Sequence, residues 1–397
     1  MPEIQPPPLR NDCFALPPGV DWTPVAEAKS LLRQALSVVV SSGQLVAVEE
    51  ACDRILSSDI GAVRSNPPGS NSAVDGYGFA GPIAEGPQIM DLCEGRAAAG
   101  VPFQGRVKPG QACRILTGAI LPEGVNTVVL EEDCTIEPNR IAFNGPLKQW
   151  SNTREAGEDV ILGTPIFQAG RRLTSTDLSL LASAGVAEVK VYSRLRVGVL
   201  STGDELRMPG QTADDWQIYD ANRLMLLSMI RDLGFEAVDL GLVEDSRDTV
   251  RGALNQGAQL CDLIITSGGA SAGDEDHISA ILKAEGRLTS WRIALKPGRP
   301  LALGVWNETP VIGLPGNPVA AWVCTMVFGR PAMEVLAGGL WREPRGYQVV
   351  AAFTKKKRRG RSEYLRARLN ADGQVEVFPS EGSGNTLTEK QKFQVLF

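Results

Sequence analysis

The chain has almost no histidine. Among its 397 residues only His277 carries an imidazole. A catalytic triad, a histidine-rich metal centre or a paired imidazole acid and base must therefore use this one side chain or be absent. No cysteine or second histidine lies near it, and it reads as an ordinary residue in the first turn of a helix. The seven cysteines, Cys13, Cys52, Cys93, Cys113, Cys134, Cys261 and Cys324, are scattered and none stands in a C-x-x-C pair. That pattern excludes a disulfide framework or a cysteine zinc site and predicts reduced, mostly buried thiols. No run of 18 apolar residues and no signal-peptide pattern is present, which predicts a soluble, cytoplasmic protein with no membrane contact. The net charge of −6 argues against a nucleic-acid partner. Neither a P-loop nor a G-x-G-x-x-G pattern occurs in the loops that follow the strands after Leu195, so any nucleotide there is held differently from those folds.

What is present is ordinary globular material, 43% hydrophobic and 22% charged, with 26 prolines and 42 glycines that mark many turns. The length predicts two to four domains. Residues 1–24 read as extended. Helices are expected near Val25–Ser41, with Thr23 as a possible N-cap, and around Val48–Leu56. Residues 65–79 form a polar, broken loop holding one acid, Asp75, beside Gly76. Short strands follow at Gly95–Gly100, Val107–Gly110, Gln111–Leu116, Thr127–Glu131 and Arg140–Phe143, the pattern of a small all-β domain. The step Thr117-Gly118-Ala119 places a hydroxyl at the rim of the third of these. A second polar loop, 152–159, ends on Asp159, and a helix near Thr176–Gly185 comes next.

From Leu195 strands and helices alternate. Strands are predicted at Arg196–Leu200, Glu236–Leu240, Leu263–Thr266, Leu301–Val305 and Val311–Leu314. Helices are predicted after Asp220, with Leu224, Leu227, Ile230 and Leu233 as its apolar side, at Arg247–Ala258 and at Ile278–Ala284. Another starts at Asn317 as N-cap with Pro318 at the first turn. This is a doubly wound α/β domain, in which ligands sit beyond the carboxyl ends of the strands. The loops 201–206, 243–245, 266–276 and 315–318 all occupy that position and should converge. The stretch Asp262–His277 is the most telling. An apolar strand breaks into Thr266-Ser267-Gly268-Gly269-Ala270-Ser271-Ala272-Gly273, then three acids, Asp274, Glu275 and Asp276, precede a helix. Bare N–H groups and hydroxyls at such a place suit an anion, and the acids behind could hold a cation such as Mg²⁺. Residues 341–397 read as a further β-rich piece. Its basic run, Lys355 to Arg359, reads as a solvated loop or hairpin tip.

In order along the chain stand Pro67-Pro68, Asn71-Ser72-Ala73, Asp75-Gly76-Tyr77, Thr117-Gly118-Ala119, Ser201-Thr202-Gly203-Asp204-Glu205-Leu206, Ser267-Gly268-Gly269, Lys296-Pro297-Gly298 and Gly313-Leu314-Pro315-Gly316-Asn317-Pro318. Together they resemble the MoeA-type molybdopterin molybdenumtransferases, relatives of the gephyrin E domain, over residues 20–345. The resemblance implies an elongated N-terminal and linker domain (1–66 and 148–194) and a β-rich insertion domain (67–147). It further implies an α/β molybdopterin-binding domain (195–340) and a C-terminal β domain (341–397), shortened or altered here because Asn385–Phe397 departs from the pattern. It implies a homodimer that takes adenylylated molybdopterin and molybdate, uses Mg²⁺, releases AMP and inserts molybdenum at the dithiolene sulfurs. The molybdopterin adenylyltransferase is then an expected partner.

Carried over residue by residue, the resemblance makes Asp75, Asp159, Glu205, Asp245 and Asp276 catalytic, with Asp75 and Asp159 reaching the α/β site of the partner subunit. Glu205, Asp245, Asp274 and Asp276 are candidate metal ligands. Substrate-binding positions are Thr117, Ser267, Gly268, Gly269, Ser271, Arg292, Lys296, Arg299, Pro315 and Pro318. Ser267, Ser271 and the three cations suit an oxyanion such as molybdate. Arg292 and Lys296 share a face if the segment between them is extended. Two other readings differ in class. A gephyrin-like scaffold would not need these carboxylates and cations, and an adenylyltransferase would lack the 67–147 insertion.

Overall fold

The structure, a computed structural model, describes residues 22–268, 277–298, 300–344, 346–355, 360–378 and 394–396. The proline-rich start of the chain and the calls on Gly269, Ser271, Asp274, Asp276 and Arg299 lie outside these residues, as does the basic run beyond Lys355. The chain forms two compact units, one spanning Gly43–Val191, the other combining 1–42 with Tyr192–Phe397.

The Gly43–Val191 unit is built on a six-stranded sheet. Its strands run in the order Thr127–Leu130, Gly76–Phe79, Gln111–Ile115, Ile83–Ala97, Arg140–Leu147, Thr135–Glu137. Tyr77, Phe79, Met90, Ala112, Val129, Ile141 and Phe143 fill its core, with the Phe79 and Phe143 rings stacked 5.2 Å apart. Three predicted strands are present with shifted ends. Two predictions fail here. The strand expected at Gly95–Gly100 is the end of a single 15-residue strand, Ile83–Ala97, and Val107–Gly110 is not a strand. Gly86 and Gly95 look like breaks in the sequence, but both take positive φ beside shifts of register, so they bend the strand instead of ending it.

The same unit holds a smaller core of Val46, Val48, Leu56, Leu173, Leu181 and Val189 around a two-stranded ribbon, Gln44–Ala47 with Glu188–Val191. The helix expected at Val48–Leu56 is absent. Leu45 is exposed and Val46 buried, a strand alternation, and only one 3₁₀ turn, Val48–Glu50, follows before Asp53 adopts a positive φ. The helix Ser175–Ser183 does form. It starts on a capping box between Thr174 and Asp177 and is followed by Gly185 at φ +80°.

In the other unit the alternating pattern gives β1 (Arg196–Thr202), α1 (Ala221–Asp232), β2 (Glu236–Val243), α2 (Arg247–Leu260), β3 (Leu263–Ser267), α3 (His277–Glu285), β4 (Arg287–Arg292), β5 (Pro300–Trp306), β6 (Thr309–Leu314) and α4 (Pro318–Cys324). The sheet order is β2-β1-β3-β6-β5-β4. The first four strands are parallel and β5 runs antiparallel to both neighbours. Helices α1 and α4 pack together, as do α2 and α3, giving the helix layers of a doubly wound domain. Leu200, Val250, Leu254, Ile264, Ile281, Leu282 and Val311 form the core beneath α2 and α3. His277 opens α3, as expected.

Helix α1 buries Leu227 and Ile230 as its pattern predicts, but the buried face is rotated away from Leu224. Leu224 is 51% exposed, while Asn222, Arg223, Leu226, Leu227 and Ile230 are buried. The N-terminal helix is shorter than predicted, Val25–Ala35, and begins after Pro24 with no side-chain cap; Thr23 pairs instead with Ile293. After α4 the helical run continues through a π turn at Thr325–Gly329 into Arg330–Leu336. Pro331 cannot donate a backbone hydrogen bond, which accounts for the irregular turn before it. This run, Pro318–Leu336, is long and apolar enough to cross a membrane, but 72% of it is buried inside the protein. A three-stranded sheet, Val375–Val377, Leu365–Leu369 and Gln394–Leu396, forms the C-terminal part, and Ser362–Glu363 pairs with Leu295–Lys296.

Candidate active site

Strand β1 is followed in the chain by β2 on one side of it and β3 on the other, so the sheet reverses its winding between β1 and β3. Side chains and backbone beyond the carboxyl ends of β1, β2, β3 and β6 meet there, as the loop pattern predicts. The Thr202 hydroxyl donates to Asp245 Oδ1 at 2.9 Å, and the Asp245 backbone N–H reaches Asp204 Oδ1 at 3.3 Å. Gly268 N donates to the Leu314 carbonyl at 3.2 Å. Gly268 holds φ +91°, a backbone conformation that favours glycine, and a Cβ on it would lie a tight 3.2 Å from the Thr202 carbonyl. Asn317 caps α4 by accepting from Ala320 N, with Pro318 in the first turn. Pro315 is buried at the end of β6.

The carboxylate of Glu205 lies over Gly203, where a Cβ would come within 2.6 Å of Oε2. Glu205 is tied down through its backbone carbonyl, which accepts from Ile218 N at 2.8 Å. Glu205, Asp245 and Asp204 are thus three acids on the loops after β1 and β2. Among the described residues no group of three or more histidines, cysteines or acids stands at metal-binding geometry, and two of the four predicted ligands, Asp274 and Asp276, are outside that set.

Arg292 ends β4 and is exposed, whereas Lys296 belongs to the short pairing with Ser362–Glu363. The segment between them is not a continuous strand. Leu295 N donates to the Ile293 carbonyl two residues back at 2.7 Å, a tight turn that breaks the two-residue alternation. Shared facing of the two cations therefore does not follow from their spacing.

The Gly43–Val191 unit carries a second cluster. Asp75 Oδ1 accepts from both the backbone N–H of Thr117, at 2.7 Å, and its hydroxyl, at 2.6 Å. These two bonds, the hydroxyl's first, hold the Asp75 carboxyl below the usual carboxylate range. Beside it Arg114 makes a two-bonded pair with Glu131, 2.8 and 2.7 Å, and a bond to the Tyr77 hydroxyl at 3.1 Å. Glu131 N in turn donates to the Asp75 carbonyl. Asp159 Oδ2 accepts from Asn66 Nδ2 at 2.9 Å, and the Asp159 backbone N–H donates to the Asn66 carbonyl at 3.0 Å. The expected loop 65–79 ends at Asp75, where the strand Gly76–Phe79 begins, and its remaining part, 65–75, is pinned on both sides. Ser72 and Gly118 N–H groups bond across to Ala119 and Ser72, and Ala73 N and Gly157 N reach Asn152 and Pro67. The polar loops that hold Asp75, Thr117 and Asp159 are therefore one bonded assembly.

Sequence reasoning missed Asn222, Arg223, Arg114 and Glu131. Asp220 caps α1 and pairs with Arg223 at 3.1 Å, and Arg223 reaches Asp239 on β2. A polar pair directly after an N-cap, on what should be a buried face, is the signal that could have marked Asn222 and Arg223.

Comparison with known proteins gives the class first. Residues 23–185 match the family model described as MoeA N-terminal region (domain I and II), and residues 198–335 match that of a probable molybdopterin binding domain. The molybdopterin molybdenumtransferase of Haemophilus influenzae is 39% identical over 335 residues, covering 83% of this chain and 82% of that one. Molybdopterin molybdenumtransferase 2 of Mycobacterium tuberculosis is 33% identical over 338 residues, covering 82% and 83%. The solved structure of the molybdopterin biosynthesis MoeA protein from Pyrococcus horikoshii shares the fold, with a TM-score of 0.78 at 24% identity and 92% of both chains covered. This chain belongs to the MoeA-type molybdopterin molybdenumtransferase family.

Proposed function

We propose that the chain completes the molybdenum cofactor. It binds adenylylated molybdopterin and molybdate together, the phosphoanhydride is cleaved, AMP leaves and molybdenum enters between the dithiolene sulfurs. The observation that carries this reading is the meeting of Thr202, Asp204, Asp245, Ser267 and Gly268 at the winding reversal of a molybdopterin-binding domain. The site is rich in hydroxyls, N–H groups and carboxylates and holds no imidazole among the described residues. The hydroxyls and N–H groups bind and orient anions and the carboxylates hold a neutralising cation; none of these suits a mechanism built on histidine proton transfer. Glu205 and Asp245, with Asp274 and Asp276, offer only hard oxygen donors, the kind Mg²⁺ takes. Mg²⁺ held there would supply neutralisation of the phosphate charge. Ser267 and the cations Arg292, Lys296 and Arg299 are assigned to molybdate. Asp75, Thr117 and Asp159 are assigned to the same reaction within a homodimer, each subunit's acids serving the partner's α/β domain.

A scaffold protein of gephyrin type would have no use for a Thr117–Asp75 pair or for acids gathered beyond β1 and β2. The test is direct. The protein is incubated with adenylylated molybdopterin, Mg²⁺ and either molybdate or tungstate, and AMP release is followed beside cofactor formation. AMP release that depends on oxyanion and Mg²⁺ is expected. No release with either oxyanion would overturn the reading.

A further inference from the structure

Asn222 stands second in α1, where its side chain is buried, 8% exposed. Its Nδ2 donates twice, to Ser267 Oγ at 2.9 Å and to the Gly316 carbonyl at 2.7 Å. The carbonyl can only accept, which fixes which end of the amide is nitrogen. Two consequences follow. The Oδ1 of Asn222 is left buried with no partner. Ser267 Oγ is engaged as an acceptor, so its own proton is free to donate, and among the described residues it has no acceptor. Ser267 is itself 4% exposed and lies at the end of β3, directly before the glycine step Gly268. Its neighbour in register on β1 is Ser201, whose hydroxyl is also buried without a partner.

An amide that leaves its own oxygen unpaired in the interior lowers stability, and an apolar residue of like size would avoid that cost. The double donation is what Asn222 contributes. It ties the end of β3 to the turn Pro315–Gly316–Asn317, and it determines the direction of the Ser267 proton. We propose that Asn222 is a positioning residue of the transfer reaction, aiming the Ser267 hydroxyl as a donor to the bound oxyanion and holding the Gly316 turn against it. This rests on the function proposed above, in which the oxyanion is molybdate.

Acting through another residue has a signature that a structural role lacks. Removing the positioned hydroxyl and removing the group that positions it should not add. The variants are Asn222→Leu, Ser267→Ala and the two combined. Each is assayed for the molybdate concentration that gives half-maximal cofactor formation, for binding of adenylylated molybdopterin without molybdate, and for thermal midpoint. The expected result is a rise of about five- to tenfold in the molybdate requirement for either single variant and no further rise for the pair, the scale of one lost hydrogen bond. Pterin binding should change less than twofold. Asn222→Leu should lower the thermal midpoint only modestly, because loss of the orphaned oxygen offsets part of the cost of the two lost bonds. If leucine does not fold there, Asn222→Ala enters the same cycle. Additive losses, or an unchanged molybdate requirement in a folded Asn222 variant, would overturn the proposal. Equal weakening of pterin binding would do so too. Failure of the wild type to form cofactor would instead count against the transferase reading and leave the cycle without a baseline reaction to compare.

Discussion

Thr117 gives both its hydroxyl and its backbone N–H to one oxygen of Asp75, at 2.6 and 2.7 Å. The two residues are 42 positions apart in the chain, and the bond joins the polar loop 65–75 to the residues just past the strand Gln111–Ile115. It fixes the direction of the carboxylate's other oxygen. It also keeps the group ionised to lower pH than a free aspartate.

The first prediction concerns this pair. A carboxylate with a lowered folded-state pKa contributes stability that is present above its unfolded-state value and is lost as pH falls through the folded-state one. Thr117→Val removes the larger of the two stabilising bonds. The Asp75 carboxyl should then titrate at higher pH, and the low-pH loss of stability from this site should shrink. Carboxyl-carbon NMR of labelled protein measures both states. An unmoved Asp75 titration in Thr117→Val would show that the hydroxyl does not govern it.

The acids of the α/β domain give the second. Glu205→Gln and Asp245→Asn should each slow AMP release by about tenfold or more at low millimolar Mg²⁺, since each removes charge the cation requires. Both positions lie on loops beyond the strands, so the thermal midpoint should move by only a few degrees. Chelation of Mg²⁺ should stop release in the wild type. Wild-type rates in both variants would show that neither side chain serves the metal.

Molybdate recognition gives the third. Lys296→Ala should raise the half-maximal molybdate concentration by about tenfold or more, the loss of one charge-assisted bond of roughly 1.5–3 kcal/mol. Binding of adenylylated molybdopterin should be much less affected. Equal losses in both assays would remove Lys296 from the oxyanion site.

Assembly gives the fourth. Light scattering at micromolar concentration should return twice the chain mass of 42.5 kDa. A mixture of Asp75→Asn and Glu205→Gln subunits should regain activity, because one heterodimer site then combines intact Asp75 with intact Glu205. A monomer mass, or no recovery after the two variants exchange subunits, would rule out the shared site.

The fifth is a stability prediction beside Asp75. A Cβ at Gly76 would sit 1.9 Å from the Val129 carbonyl, within the backbone of the neighbouring strand. Gly76→Ala should destabilise the Gly43–Val191 unit by at least about 2 kcal/mol, from forced movement of packed strands. Urea unfolding of the Gly43–Val191 unit, read at Trp150, its one tryptophan, measures it, and a loss under half that figure would mean the strands part easily there.

The sequence by itself determined the alternation of strands and helices after Leu195, because apolar runs separated by caps and glycines are local signals. Asp220 and Asn317 do cap helices. It also determined that the loops after the parallel strands converge, since the carboxyl ends of parallel strands lie at one edge of the sheet, and Thr202, Asp245, Ser267 and Gly268 are found there. Tertiary structure decided what depends on partners distant in the chain. Gly86 and Gly95 bend the strand Ile83–Ala97 because a neighbouring strand pairs on both sides of each bulge, and no local pattern states that. The stretch at Val48 became a strand end and a single turn because Glu188–Val191 pairs with Gln44–Ala47. The tight turn at Ala294 undid the alternation expected between Arg292 and Lys296. Asn222 was invisible for the same reason. Its role comes from Ser267, 45 residues on, and Gly316, 94 residues on, and only the folded sheet brings those two groups to one amide.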